Sequence, residues 1–211
     1  MQVILKTIVA ISILGLFIFA SKPNSTADFQ DQSKTLDTYV IDTATSKLHW
    51  NCHHLGAVRF NSGYIATTQE NEPKEINLSI DMTSISNTDI DNKLLQGTLE
   101  NVLKSDEFFN TEKYPEARFE SHSITKINAN NYTIEGDFII FENGICQSFV
   151  GTIKIDGDTV YFTTKTIILN RTDWGIYYLS ANNPIPKDEE EGFAVTDTLL
   201  IDAHIIAHKL Q

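Results

Sequence analysis

Hydrophobic and polar residues alternate along most of the chain from Tyr39 onward. A period of two places successive side chains on opposite faces of an extended chain, so each such row predicts a half-buried antiparallel strand. The rows are Ile76, Leu78, Ile80 and Met82; Ile134, Phe138 and Ile140; Phe149, Ile153 and Ile155; Val160 and Phe162; and Leu199, Ile201, Ala203 and Ile205. Further strands are expected at residues 48–53, 58–67, 117–127 and 165–170.

Short turn signals separate these rows. They occur at residues 61–63 (Asn-Ser-Gly), at residues 128–131 and at residues 156–158, where an Asp-Gly pair suits a tight hairpin. Several alternating strands joined by short turns predict an all-β fold, either a closed barrel or a sandwich.

One helix is predicted within this β-pattern. Its apolar face consists of Leu95, Leu99, Val102 and Leu103, which recur at the spacing of a single helical face. Asp91 is the expected N-cap, and Ser105 is expected to cap a second short turn that carries Phe108 and Phe109. A helix with one apolar face needs a surface to cover, and an open barrel end offers one.

The N-terminus has the pattern of an export signal. Lys6 precedes an apolar run at residues 7–20, and small residues follow at 25–27. The run is shorter than the ~20 residues that span a bilayer, although a retained N-terminal anchor is a competing interpretation. We therefore expect a signal peptide at 1–27, a flexible leader at 28–38, one domain at 39–211, and a periplasmic or secreted protein.

The charge of the chain limits the classes of partner. The formal net charge is −12, and it becomes two units more negative if the signal peptide, which contains Lys6 and Lys22, is removed. Such a surface repels phosphate backbones, so nucleic acid is not an expected partner. We interpret the acidic run at residues 188–191 as a solvated loop rather than a calcium site. A homodimer is left open.

The residue types used in catalysis and metal binding form no clear site. The densest polar cluster, residues 49–54, contains His49, Cys52, His53 and His54, but on one strand these side chains divide between two faces. A metal- or redox-linked exported protein that uses the cluster from His49 to His54 is the alternative function. No nucleophile elbow or phosphate loop is present, so we predict no enzyme activity, no cofactor and no metal. Cys52 and Cys146 are compatible with a disulfide, and buried free thiols are the favoured interpretation.

A set of motifs resembles one known family. Residues 108–121 (FFNTEKYPEARFES) resemble the family pattern sxdFFdvekyPxxxFxS, and residues 169–176 (LNRTDWGI) resemble idRtdfGi. Residues 39–50, residues 81–85 and the spacing of His54, Gly56, Phe60 and Gly63 are also similar to the family's patterns. These motifs are typical of the YceI-like family of secreted lipid-binding proteins.

The resemblance implies an extended, lipocalin-like antiparallel barrel of eight strands that holds a long isoprenoid or other amphiphilic lipid. An isoprenoid or fatty lipid is therefore the expected ligand, and it is bound without chemistry. From the strand parity we predict that the ligand contacts Trp50, Leu78, Ile80, Phe138, Ile140, Phe162, Leu199 and Ile201. A dry, filled core is the alternative role for these residues, and a structural or adhesive β-protein without a ligand is a third class.

Two further expectations concern loops. The family's next hairpin is two residues shorter than the one here, so we expect a longer hairpin or a bulge at residues 141–144. Arg171 and Asp173 are expected to brace a strand corner by pairing with each other.

Overall fold

The computed structural model describes residues 35–183 and 194–211. The predicted signal peptide, most of the predicted leader and the acidic run at 188–191 lie outside the described residues. Among the helices within those ranges, none is long and apolar enough to cross a membrane.

The described residues form mainly β-structure. The helical segments are α1 (Lys93–Lys104) and a short 3-10 helix (Arg171–Trp174). The strands are β1 (Asp37–Ile41), β2 (Lys47–Cys52), β3 (His54–Thr67), β4 (Pro73–Asn87), β5 (Glu116–Asn128), β6 (Asn131–Ile140), β7 (Asn143–Asp156), β8 (Thr159–Thr164), β9 (Ile167–Asn170) and β10 (Thr198–Lys209). Strand β1 begins two residues before the domain boundary predicted at Tyr39.

The strands close into a ring. Strand β10 pairs with β2 on one side and with β8 on the other, and the strands from β2 to β8 pair with one another in chain order. Strand β1 pairs with the C-terminal part of β10, beyond the part that β2 pairs with, and β9 pairs with the N-terminal part of β10, beyond the part that β8 pairs with. All these pairs are antiparallel. The predicted all-β, eight-stranded antiparallel barrel with one helix is confirmed.

The sequence rows occupy the strands as predicted. Along β4, Ile76, Leu78, Ile80 and Met82 are buried, whereas the residues between them are at most half-buried. This alternation is the signature of a strand with one face on an apolar interior and the other in water.

The turn predicted at residues 61–63 is wrong. Strand β3 continues through these residues, and its register against β4 shifts between Phe60 and Ser62, which makes Asn61 the extra residue of a bulge. Asn and Gly are depleted in strands, and this depletion caused the misassignment. Gly63 is required for packing instead, because a Cβ atom there would lie 2.7 Å from the carbonyl oxygen of Asn77.

Helix α1 begins one residue later than predicted. Its N-cap is Asn92, not Asp91, and the Asn92 side-chain oxygen accepts hydrogen bonds from the backbone N–H groups of Leu94 and Leu95 at 3.0 and 3.2 Å. The predicted apolar face is correct only toward the C-terminal end, where Leu103 is buried. Leu95 is 58% exposed, so the first turn of the helix extends past the surface that the helix covers.

The β6–β7 hairpin has no bulge between its two described strands. Their register runs without a shift to the pair Ile140 and Asn143. The connection is a two-residue turn of Phe141 and Glu142, whose φ angles are 56° and 61°. The expected extra length therefore lies in the strands, which extend the barrel wall.

The barrel interior has two different halves. In one half, the side chains of Ile65, Ile76, Ile134 and Val160 are completely buried and fill the space between the strands. The other half lies at the end that α1 covers, and it contains a cavity. The filled half provides a rigid frame for this cavity.

Candidate functional site

The cavity is bounded by strands on all sides and by the end of α1. Residues from β2 to β10 form its wall, and Leu103, Phe108 and Phe109 contribute from the C-terminal end of α1 and the turn after it. Its volume is about 100 Å³, whereas a cavity of roughly 10–15 Å³ holds one water molecule. The cavity is therefore larger than a packing defect.

The wall of the cavity is almost entirely apolar. Among the described lining residues, Arg118 is the one with a charged side chain, and its guanidinium lies within 3.5 Å of the carboxylates of Glu116 and Glu120. Thr164 contributes a hydroxyl whose oxygen already accepts a hydrogen bond from the backbone N–H of Ala203 at 2.9 Å. Apolar groups thus dominate the surface that a ligand would meet.

All eight residues predicted to contact a ligand lie on this wall. They are Trp50, Leu78, Ile80, Phe138, Ile140, Phe162, Leu199 and Ile201. The inward parity of their strands is therefore as expected, while their contact with a lipid stays a prediction.

Trp50 forms one side of the cavity and depends on a glycine. Its indole ring lies against Gly56 on the neighbouring strand, where a Cβ atom would collide with ring atoms Cζ2 and Cε2 and with the carbonyl oxygen of Ser86. The indole N–H of Trp50 is buried and has no hydrogen-bond partner. An unsatisfied buried donor costs about 1–3 kcal/mol, so an acceptor oxygen on a ligand near this group would be favoured.

Aromatic side chains form the opposite part of the wall. The ring centroids of Phe119, Phe138 and Phe149 lie 4.9–5.9 Å from one another. Phe138 and Phe149 are only partly buried although they point inward, because they border the empty space. Phe162, by contrast, is fully buried and lies over Gly151, where a Cβ atom would come within 2.6 Å of its ring.

Several wall residues were missed by the sequence analysis. Leu103, Phe108 and Phe109 belong to the helical segment, whose position over the barrel end is set by tertiary packing. Phe108 and Phe109 begin the motif at residues 108–121, and in the structure their ring centroids lie 4.8 Å apart. Two consecutive phenylalanines directly after a predicted helix were the one sequence signal of this role, and the structure shows both of them buried.

Cys52 also lines the cavity, and it is not paired with Cys146. Both cysteines are free, Cys52 partly buried and Cys146 exposed, so free thiols are confirmed but the predicted burial of Cys146 is wrong. Burial raises the pKa of the Cys52 thiol, the charge of Arg171 opposes this, and the charge of Asp197 adds to it. The thiol donates to the carbonyl oxygen of Thr196 at 3.4 Å, so it is a neutral part of the wall.

Arg171 braces the chain beside the cavity, but not through Asp173. Its guanidinium donates to the carbonyl oxygens of Val195, Thr196 and Ile176 at 2.9–3.1 Å. It also lies 3.2 Å from the Asp197 carboxylate, whereas Asp173 is exposed. The predicted pairing of Arg171 with Asp173 is therefore wrong.

Trp174 in the same motif fixes the β6–β7 hairpin. Its indole N–H donates to the carbonyl oxygens of Asn143 and Phe138 at 3.1 and 3.3 Å. The motif at residues 169–176 thus holds together two parts of the chain that adjoin the cavity.

The polar cluster at residues 49–54 is not one site. The chain reverses at His53, whose φ is 68°, so His54 lies on β3 opposite Cys52. The Cys52 side chain faces the cavity, His49 is exposed, and the His54 ring lies 3.3 Å from Asp89. The geometry does not bring these donors together around one ion.

Known proteins share this fold and its sequence pattern. A model of the YceI-like domain matches residues 39–207. No curated protein sequence matches the chain at a significant level.

Three solved structures illustrate the similarity of fold. BcnA of Burkholderia cenocepacia is 20% identical, with 79% of this chain and 99% of that chain covered and a TM-score of 0.61. A polyisoprenoid binding domain from Saccharophagus degradans is 13% identical, with coverage of 83% and 100% and a TM-score of 0.56. The YceI protein of Campylobacter jejuni is 17% identical, with coverage of 77% and 85% and a TM-score of 0.55.

The match to the domain model covers almost the whole barrel, from within β1 to within β10, and it includes the motif that carries Arg171 and Trp174. The chain belongs to the YceI-like domain family.

Proposed function

We propose that this protein is an exported, non-catalytic binding protein that holds one long isoprenoid or other amphiphilic lipid in its barrel. The observation that carries the proposal is the apolar cavity beneath the end of α1, to which the eight residues Trp50, Leu78, Ile80, Phe138, Ile140, Phe162, Leu199 and Ile201 contribute. Burial of an alkyl chain there is worth about 0.8 kcal/mol per CH₂ group.

The chemistry of the wall favours an apolar chain with few polar atoms. A charged head group inside the cavity would lose its hydration without a free opposite charge to replace it, because the guanidinium of Arg118 is paired with Glu116 and Glu120. A single oxygen near Trp50 would instead accept from the unsatisfied indole N–H. The S. degradans structure, a polyisoprenoid binding domain with the same fold, supports the isoprenoid class of ligand.

The filled half of the barrel limits how deeply a ligand can enter the interior. Because Ile65, Ile76, Ile134 and Val160 leave no exposed surface there, the ligand enters only the half that α1 covers. A chain longer than the cavity would displace α1 or the turn after it, since these are the parts of the wall that are not held by strand pairing.

A binding titration with variants at the wall and outside tests the proposal. Phe138 is preferred over Phe162 as the position to change, because it is only partly buried and a new side chain there is less disruptive to the core. Phe138→Asp should lower the affinity for a polyprenol by at least about 100-fold, because a carboxylate beside an alkyl chain is costly to desolvate. Phe138→Leu should bind nearly normally.

The control variant is His49→Ala, which changes an exposed side chain on the outer face. It should bind the polyprenol as the unmodified protein does. Circular dichroism must show that each variant is folded. Equal affinity in a folded Phe138→Asp variant, or loss of binding in His49→Ala, contradicts the cavity as the binding site.

A further inference from the structure

Three side chains of residue types that bind metals converge on the outer face of the barrel, away from the cavity. They are His122 on β5, Asp137 on β6 and Cys146 on β7, three strands that are adjacent in the sheet. Their donor atoms lie within 4.8 Å of one another, and His122 Nε2 is 3.2 Å from Asp137 Oδ2. Among the described residues, no other cluster of three His, Cys, Asp or Glu side chains approaches in this way.

The backbone explains why the three side chains meet. Asp137 and Cys146 are directly opposite each other in the β6–β7 register, so their side chains leave the same face of the sheet. His122 is the extra residue of a bulge in β5, between the pairs formed by Ser121 and Ser123. The bulge gives two consecutive exposed residues, His122 and Ser123, and thus places an additional side chain over Asp137.

The 3.2 Å separation of the His122 and Asp137 ligand atoms is close to that in a tetrahedral metal site, and the Cys146 sulfur lies within 4.8 Å of both residues' ligand atoms. Bonds of about 2.0–2.3 Å to nitrogen, oxygen and sulfur place the donors of such a site about 3.3–3.8 Å apart. The three donors of this cluster therefore need only small rotations of exposed side chains to surround an ion.

A further carboxylate lies beside the cluster. Glu135 Oε1 is 3.8 Å from the Cys146 sulfur, and its other oxygen accepts from the Ser123 hydroxyl at 3.4 Å. Glu135 is thus oriented toward the site and could serve as a fourth ligand or hold a bound water. Residue 144, beside Asp137, is a glycine. A Cβ atom there would be in van der Waals contact with the Asp137 side chain, 3.4 Å from its Oδ2, so the absence of a side chain leaves this side of Asp137 open.

We propose that His122, Asp137 and Cys146 form a surface site for a divalent ion of the zinc class. The combination of imidazole, carboxylate and thiolate suits Zn²⁺, whereas Mg²⁺ and Ca²⁺ prefer sites made of oxygen atoms. On binding, the Cys146 sulfur forms a bond to the ion and its proton passes to the solvent. This site is separate from the residues of the lipid cavity and does not depend on the proposed lipid function.

Metal titration of the protein purified from its host and treated with a chelator tests this site. We expect one Zn²⁺ per chain, bound at micromolar concentration or more tightly, and no binding of Mg²⁺ or Ca²⁺. Co²⁺ in place of Zn²⁺ should give a thiolate-to-cobalt charge-transfer band. No bound Zn²⁺ at micromolar concentration, or a bound Co²⁺ without this band, would overturn the proposal.

Single substitutions assign the ligands. Cys146→Ser, His122→Gln and Asp137→Asn should each lower the Zn²⁺ affinity by at least about 100-fold, since changes to outer-shell partners alone cost 10–100-fold. The matched control, His49→Gln, removes another exposed imidazole and should leave the affinity unchanged. Undiminished affinity in any of the three variants, or an equal loss in His49→Gln, contradicts the site. The melting temperature without metal should be similar in all variants, because the side chains are on the outer face.

Discussion

The two cysteines lie on opposite sides of the barrel wall, so the reactivity of Cys52 reports on the interior and that of Cys146 serves as an exterior reference. Cys52 lines the cavity and Cys146 is exposed on the outer face. The pKa of each thiol is raised, that of Cys52 first by burial and that of Cys146 first by desolvation and then by the charges of Glu135 and Asp137. Both therefore react slowly at neutral pH, and labelling is best done in alkaline buffer with a chelator present.

We predict that a lipid in the cavity protects Cys52 but not Cys146. Protein freed of lipid should take up a maleimide label on both thiols, whereas protein saturated with a polyprenol should be labelled on Cys146 alone. Mass spectrometry of peptides from the labelled protein measures the two rates, and Cys146 is the internal control. A Cys52 rate that is the same with and without lipid would mean that the ligand does not occupy the cavity.

The Asp197 carboxylate beside Arg171 should make stability depend on acid pH. Burial alone would raise the pKa of the Asp197 carboxyl, but hydrogen bonds from Asn182 and Ser180 and the charge of Arg171 hold it below its usual value of 3.8. A lowered pKa in the folded state means that the carboxylate contributes stability above the unfolded pKa. That contribution is lost as the pH falls through the folded pKa.

The measurement is urea unfolding of the unmodified protein and of Asp197→Asn between pH 7 and pH 3. The difference in unfolding free energy between the two should be largest and constant above about pH 5 and should shrink below about pH 4. A difference that does not change with pH would show that the charge of Asp197 has no part in stability.

The elements of the fold were predictable to the extent that the period of two dominates them. Rows such as Ile76 to Met82 fix both the existence of a strand and the face that is buried. The bulge at Asn61 was not predictable, because Asn, Ser and Gly favour turns and are depleted in strands, so the local sequence indicates a turn. The N-cap of α1 was missed by one residue, since both Asp91 and Asn92 are good caps and only the geometry selects between them.

The β6–β7 turn contains a local strain that a substitution should relieve. Glu142 has a φ of 61°, a left-handed conformation that costs a residue with a Cβ atom roughly 1–2 kcal/mol relative to glycine. Glu142→Gly should therefore raise the unfolding free energy, by up to about 1 kcal/mol after the greater chain entropy of glycine is subtracted. Chemical denaturation measures the change.

Glu142→Ala is the matched control, because it removes the same carboxylate but keeps the Cβ atom. We expect it to give no increase in stability. If both variants were stabilised equally, removal of the charge and not the backbone conformation would be the cause.

At the scale of the whole molecule, one half of the barrel interior is filled by side chains and the other half encloses a cavity. Parity predicted that all eight chosen residues face inward, and each of them lies on the cavity wall. Parity does not specify depth along the barrel, so the sequence did not separate the filled end, with Ile65 and Val160, from the open end. The contribution of Phe108 and Phe109 depends on where α1 packs, which is set by contacts between distant parts of the chain.

Native mass spectrometry of the protein purified from its own host tests whether the cavity holds a lipid. We expect a polypeptide that begins near Asp28 and carries one added mass per chain, which organic extraction releases as an apolar lipid with few oxygen atoms. The folded Phe138→Asp variant should lack this mass. A polypeptide mass alone in the unmodified protein, or an added mass that Phe138→Asp retains in full, would contradict lipid binding in the cavity.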